Sequence, residues 1–398
     1  MNLKTATQLA QALPDPDSDH PGVIPPLHTS TTYLRDADNQ YSSGLSYARP
    51  HNPTVNHLEQ VIATLERGAE AMAFASGMAS ATAVFQGLKP GDHVIAPTVM
   101  YWSLKNWLAS MAVDWGLSVS FVDMTDLEAI RKSLQPGKTQ LIWVETPGNP
   151  IWSITDIAAV SALAKAAQAR LVVDSTVATP ILTQPLLLGA DIVMHSGTKY
   201  LNGHSDVLAG ILVTAKQDDF WQRIQSVRTN IGGILSPRDA SLLLRGLRTL
   251  HLRVRESCQS AMKIATHFDQ HPAVSEVLYP GLPGHPGHDI AKLQMTGGFG
   301  GMLSLRIAEG KEAAINLAAR VALWKRATSL GGVESLLEHR ASIEGAGTPA
   351  PDDMLRLSVG IEDVDDLIDD ILAARARRRR RSSRTRRPSC PSTTTTTT

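Results

Sequence analysis

Between residues 70 and 196, short apolar runs alternate with stretches of helical periodicity, and this alternation constrains the fold more than any other feature. The runs are "AMAFAS", "HVIAPT", "VSFVD", "QLIWVET", "RLVVDST" and "DIVMHS"; between them lie "MASATAVFQGL", "LKNWLASMAV", "LEAIRKSL" and "IAAVSALAKAAQ". Strands this apolar are buried on both faces, and helices between successive strands make a mostly parallel sheet of an α/β fold. Upstream, "NHLEQVIATLERG" predicts an amphipathic helix from Asn56 to Arg67, ending at Gly68. Residues 1–48, rich in Pro, Asp, Ser and Thr, read as an extended arm rather than a helix. Beyond Pro237 the rhythm changes to long helices, "DASLLLRGLRTLHLRVRESCQSAMKIATHFDQH". Later runs, "GGMLSLRI" and "LRLSVG", point to a smaller C-terminal α+β domain. The expected division is an arm over 1–48, a large domain over 49–245, a smaller one over 246–374 and a tail over 375–398.

Charge narrows the partners. The chain has 38 basic and 38 acidic residues, but nine arginines and no acid follow residue 374. Residues 1–374 therefore hold 29 basic against 38 acidic groups, a net charge of −9, which excludes nucleic acid as a partner of the main body. The tail "RARRRRRSSRTRRPSCPSTTTTTT" is of low complexity and is expected to be disordered. It reads either as a non-native extension or as a basic cluster for RNA or targeting. No apolar run approaches a membrane span, and Met-Asn-Leu-Lys-Thr-Ala-Thr is no signal peptide. Two cysteines, Cys258 and Cys390, are too few for a disulfide framework or a Cys-based metal site. No metal is expected, and a reducing cytoplasmic setting is.

In sheets of this type ligands sit at the carboxyl ends of the strands. Four ends carry unusual residues: Ser76-Gly77-Met78, Glu145-Thr-Pro-Gly-Asn149, Asp174-Ser-Thr176 and Ser196-Gly-Thr-Lys199. A lysine closing the run Asp191-Ile-Val-Met194 either reaches solvent from the loop or is held by a partner or a reaction. Together the four ends suit an aromatic, cationic ring with a phosphate and an aldehyde. Lys199 can form a Schiff base with the aldehyde. Asp174 can hold a protonated ring nitrogen, which makes the ring a better electron sink. Ser76-Gly77-Met78 lies between a strand and a helix, where free backbone N–H groups favour a phosphate; Ser196 and Thr198 add hydroxyls. Taken singly these are a helix cap or turn residues; their order on consecutive strand ends carries the reading. The "GGFGG" at 297–301 runs into a strand and is no dinucleotide loop. The "HPGH" at 285–288 has metal spacing without a carboxylate cluster and reads as a turn.

The stretches "GVIPPLHTSTTY", "YARPHNPT", "ASGMAS", "ETPGNP", "VVDSTVATP", "SGTKYLNGHSDVLAG", "LRGLRTL", "YPGLPGHPGH", "SLGGVESL" and "LRLSVGIED" follow in this order. From Gly22 to about Ala374 the chain resembles the Cys/Met-metabolism group of pyridoxal 5'-phosphate (PLP) enzymes. These are cystathionine γ-synthase/γ-lyase-like members of the aspartate-aminotransferase fold (fold type I). The resemblance implies that Lys199 is the Schiff-base lysine, that Asp174 pairs with the pyridinium nitrogen, and that Tyr101 stacks on the ring and assists catalysis. Ser76, Gly77, Met78, Ser196 and Thr198 would hold the phosphate, and Thr176 joins the cofactor-binding set. Tyr47 and Arg49 would reach the phosphate of a neighbouring subunit, which requires a dimer and is compatible with a tetramer. Arg356 would clamp the substrate α-carboxylate, with Asn149 and Ser329 positioning it.

Two departures bear on the substrate. Members of the group usually have Tyr-Gly-Gly and then Thr or Ser at the stacking tyrosine, often with an arginine five residues on; here stand Tyr101-Trp102-Ser103-Leu104 and Asn106. Enzymes of the group that process cystathionine commonly have a glutamate before Ser-Leu-Gly-Gly, where this chain has Thr328. A smaller or more apolar distal pocket is expected, set by Trp102 and Thr328, with Lys105 partly replacing the missing charge. The expected activity makes or breaks a C–S bond at the γ carbon of a homoserine- or cystathionine-type amino acid. The alternatives are cystathionine β-lyase or methionine γ-lyase activity, or a non-catalytic member.

Overall fold

The computed structural model describes residues 3–12, 22–345 and 347–384. Seven strands form the larger sheet: β1 (Glu70–Phe74), β2 (His93–Pro97), β3 (Ser118–Val122), β4 (Thr139–Glu145), β5 (Arg170–Asp174), β6 (Ile192–Ser196) and β7 (Gly210–Thr214). Their order is β1-β7-β6-β5-β4-β2-β3. The pairs β2–β3, β2–β4, β4–β5 and β5–β6 are parallel, while β7 is antiparallel to both its neighbours. β1 to β6 are the six apolar runs. The strand–helix rhythm does not anticipate β7, which follows the Lys199 loop with no helix between.

Alternate strand residues feed two cores. Met72 and Phe74 of β1 join Phe85 and Trp143 on one face, while Ala71 and Ala73 join Leu58 and Leu243 on the other. Both faces are therefore dry, and each large aliphatic or aromatic side chain buried there contributes about 1.5–3 kcal/mol.

The helix before β1 spans Pro53–Glu66, beginning earlier than its apolar periodicity predicts. Asn52 caps it by accepting the Thr54 and Val55 amides, and Pro53 needs no amide partner in the first turn. Its stop is Arg67 in the left-handed region (φ 58°), one residue before Gly68. The run "LKNWLASMAV" breaks at Ser110 into helices Trp102–Ala109 and Met111–Asp114. Within the arm, Thr5–Ala10 form a short helix, against the expectation of extended chain throughout. The cause is tertiary: Leu9 is fully buried in the core beside Val254 and Leu250.

The smaller sheet is antiparallel throughout, with β8 (Val274–Leu278), β9 (Met302–Ile307), β10 (Leu336–His339) and β11 (Met354–Ser358) in the order β10-β11-β9-β8. The helix Leu250–Phe268 packs on it through Ala261, Ile264 and Phe268. The last helix runs Val364–Arg384, so residues 375–384 of the segment expected to be disordered are helical. Arginine is a good helix former, and these residues extend a helix already nucleated by the buried turn at Leu367 and Ile371. Residues 385–398, the rest of that expectation, lie outside the described residues. Among the described residues no helix is long and apolar enough to cross a membrane.

Candidate active site

The carboxyl ends of β1, β4, β5 and β6 open onto one cavity of about 210 Å³. Ser76, Gly77, Met78, Tyr101, Asn149, Asp174, Thr176, Ser196, Thr198 and Lys199 all line it. The chain thus brings together ten positions singled out from sequence.

The β1 end supplies backbone donors. The helix Gly77–Gln86 starts at the cap residue Ser76, whose hydroxyl accepts the Ala79 amide at 3.1 Å. The amides of Gly77 and Met78 precede the first intrahelical bond, Ser80 N–H to Ser76 O at 3.1 Å, and so remain available at the positive end of the helix. A Cβ on Gly77 would lie 2.9 Å from Ser196 Oγ, so this close approach needs a glycine.

Asp174 closes β5. Both the amide and the hydroxyl of Thr176 donate to its Oδ1, at 3.0 and 2.6 Å, and neither engages Oδ2. The Thr176 oxygen in turn accepts the Ser196 amide at 2.8 Å, tying β5 to β6. Burial raises the Asp174 carboxyl above its usual range despite these bonds. Glu145, closing β4 beside it, is pushed up to about 8, first by burial and then by the charge of Asp174. Its two oxygens accept the Tyr101 amide at 2.7 Å and the Asn149 amide at 3.1 Å. Glu145 was visible at its strand end but carried no expected role; what it holds becomes apparent only when Tyr101 and Asn149 are seen in space.

Lys199 follows β6 and is partly buried. Its Nζ donates to Ser329 Oγ at 3.0 Å. Burial, and after it the charges of Arg356 and Arg340, lower its ammonium to about 8. The neutral amine is therefore accessible near neutral pH. Thr198 is less free: its hydroxyl donates to Ala209 O at 3.2 Å and accepts the Ala209 amide at 3.0 Å.

Arg356 and Ser329 are not among the lining residues, although the Ser329 hydroxyl meets the lining residue Lys199. Arg356 is 4% exposed; it donates to Asn149 Oδ1 at 3.1 Å and to Ser329 O at 3.0 Å. It also pairs with Glu338, its cross-strand partner in the β10–β11 register. Glu338 accepts from Arg340 at 3.1 Å and from the Thr328 hydroxyl at 2.7 Å, and Arg340 pairs with Glu344 at 2.7 Å. Sequence reading missed Glu338, Arg340 and Glu344. The available signal was a pair of charges in "LLEHR" and the four-residue spacing of Arg340 and Glu344.

The distal positions stand outside this cavity: Trp102 and Thr328 do not line it, and Trp102 is 42% exposed. The Thr328 hydroxyl is instead engaged with Glu338. Lys105 does not replace the absent arginine: its Nζ donates to Thr98 O at 2.6 Å and lies 5.9 Å over the Phe121 ring. Tyr47 and Arg49 do not line their own chain's cavity either. Arg49 donates to Thr229 O at 3.0 Å and sits 5.7 Å over the Tyr47 ring. The "HPGH" histidines form turns, with His285 Nδ1 accepting the Gly287 amide and His288 Nδ1 bonded to Pro280 O.

The donor set fits a phosphorylated, cationic ring with an aldehyde. It offers an amine of lowered basicity, an acid with one uncommitted oxygen, and helix-start amides beside a glycine that no Cβ could replace. Comparison with known proteins agrees. A family model described as Cys/Met metabolism PLP-dependent enzyme matches residues 6–376. A cystathionine gamma-synthase of Mycobacterium leprae is 44% identical over 375 residues, covering 93% of this chain and 96% of that one. A cystathionine gamma-lyase of Dictyostelium discoideum is 39% identical over 381 residues, covering 94% and 98%. The crystal structure of cystathionine gamma synthase from Xanthomonas oryzae pv. oryzae, in complex with aminoacrylate and cysteine, superposes with a TM-score of 0.90 at 35% identity, covering 96% of this chain and all of that one. Its α/β architecture, with a mostly parallel sheet, is the one described above. The chain belongs to the Cys/Met-metabolism family of PLP-dependent enzymes.

Proposed function

We propose that this enzyme carries out trans-sulfuration, forming or breaking a C–S bond at the γ carbon of a homoserine- or cystathionine-type amino acid. The observation that carries the reading is the Ser329 bridge: its hydroxyl takes Lys199 Nζ and its carbonyl takes Arg356. One residue thereby sets the reach between a carboxylate anchor and a base. The γ-synthase and γ-lyase relatives, aligned over most of their length, support the choice of the γ carbon.

Bound PLP supplies the electron sink that takes up the pair left when the substrate's α proton departs. Lys199 would hold the cofactor through its amine and, once free, would serve as the base for the substrate's α proton. An amine near 8 is matched to this work because a base acts best with its pKa near the operating pH. Asp174 keeps the ring nitrogen protonated through its uncommitted oxygen, and Thr176 holds that carboxyl in place. Gly77, Met78, Ser196 and Thr198 grip the phosphate. Tyr101, set by Glu145, stacks on the ring and moves a proton at the departing γ substituent. Asn149 and Ser329 aim Arg356 at the α-carboxylate.

Two further points belong to this reading. The protein works as a homo-oligomer, a dimer with shared sites that is compatible with a tetramer; the position of Tyr47 and Arg49 outside their own cavity supports the shared site. It works in the cytoplasm, as the acidic main body and the scarcity of cysteine support. Product analysis tests the reaction. Cysteine with O-acetylhomoserine should give cystathionine, and cystathionine alone should give 2-oxobutanoate if it is cleaved. Pyruvate and homocysteine from cystathionine would replace the γ reading with β-elimination.

A further inference from the structure

A bidentate carboxylate needs two parallel N–H groups of one guanidinium edge. On Arg356 those groups are committed: Nη1 donates to Asn149, and Nη2 serves both Ser329 O and the Glu338 carboxylate. The anchor for an incoming carboxylate is thus occupied by a carboxylate of the chain itself. Glu338 is not dependent on Arg356 for its partners. Its Oε1 also takes Arg340 Nη1 at 3.1 Å, and its Oε2 takes the Thr328 hydroxyl at 2.7 Å. Arg340 is in turn fixed by Glu344 at 2.7 Å. All four charged residues are nearly inaccessible, with two cations balancing two anions. Losing a buried partner outright is costly, and Glu338 keeps Arg340 and the Thr328 hydroxyl when Arg356 is given up.

We propose that Glu338 is a resident counter-ion of Arg356 that the substrate carboxylate displaces, with Arg340 and Thr328 keeping hold of it. The inference rests on the reading of Arg356 as the carboxylate clamp. It makes Glu338 and Arg340 positioning residues that set how strongly the site accepts any α-carboxylate. A glutamate that merely buttressed Arg356 would have the opposite signature, since its removal would loosen the clamp.

The test is the binding of propionate to the PLP-loaded enzyme by calorimetry. Propionate carries the carboxylate but no amine to react with the cofactor. Glu338→Gln should bind it about tenfold more tightly than the unaltered protein, the weight of one charge-assisted hydrogen bond no longer competed away. Arg340→Gln, which leaves Glu338 only Arg356 as a cationic host, should bind about tenfold more weakly, and Arg340→Lys should restore binding. Unchanged or weaker binding by Glu338→Gln overturns the proposal. Should that variant not fold, unchanged binding by Arg340→Gln overturns it alone. Arg356→Gln separates the two layers. If it still binds propionate, the clamp reading falls; if it does not, while Glu338→Gln fails to tighten, displacement alone falls.

Discussion

A primary amine enclosed with two guanidinium groups sheds its proton more readily than one in water, and Lys199 is so placed. Its neutral form, the nucleophile toward an aldehyde, predominates above about pH 8. Uptake of PLP by the cofactor-free protein should accelerate as pH rises through that value, read from the growth of imine absorbance. Arg356→Gln removes one of the depressing charges and should move the midpoint upward. Lys199→Ala should lose the absorbance and the activity together; borohydride-trapped cofactor on another lysine would end the assignment. Glu145 gives the opposite sign. Its folded pKa, near 8, lies above the usual carboxyl value of 4.5, so the folded protein holds the extra proton and loses stability as pH rises between those values. Glu145→Gln abolishes that slope, although its amide opposes one of the two N–H groups now accepted. The cofactor-free variant should melt below the unaltered protein at pH 5, with the gap narrowing by pH 8. A gap that stays constant would show that Glu145 does not titrate there. These roles were only partly legible in sequence. Asp174 and Lys199 stand at strand ends, a position that periodicity reveals. Glu338 and Arg340 acquire meaning from cross-strand register and burial, which no local pattern encodes.

Elements were read where their pattern was repeated and lost where it was not. β1, β2, β4, β5 and β6 are largely apolar because both their faces are covered, and their composition says so directly, whereas β3 lies at the sheet edge and is mostly half-buried. β10 spans four residues and includes Glu338 and His339, so its composition argues against a buried strand; the ion pairs that neutralise it come from elsewhere. The start of the Gly77–Gln86 helix is where element and cofactor meet. Gly77→Ala would place a methyl 2.9 Å from Ser196 Oγ and 3.0 Å from its Cβ. Crowding of that kind costs about 1–3 kcal/mol. Since Ser196 can shift only at the expense of its place in the cavity, the cost should fall on the cofactor. Dialysis against PLP-free buffer should strip the variant at least tenfold faster, with the melting temperature of the cofactor-free protein nearly unchanged. Equal retention would show that the Gly77 amide and Ser196 do not face the phosphate.

At the scale of the molecule, the segment over 22–48 carries Val23, Ile24 and Leu34 at 86%, 63% and 95% exposure, with Tyr47 nearby at 47%. An arm of this kind is expected to lie on a second subunit, with Tyr47 and Arg49 completing the neighbour's cavity. Mixing Arg49→Ala with Lys199→Ala protein should restore part of the activity, since one site of a mixed dimer escapes both lesions. No recovery despite proven exchange of subunits would count against a shared site. The arm itself was legible as an irregular segment, but its short helix was not, because only the pocket that receives Leu9 makes it fold. A cavity completed from outside its own chain has one more effect, which is mass action. Affinity for the cofactor becomes a function of protein concentration: diluted past the point where subunits separate, the enzyme should release PLP without any change in its own sequence or in pH, and an excess of PLP should in turn hold the subunits together.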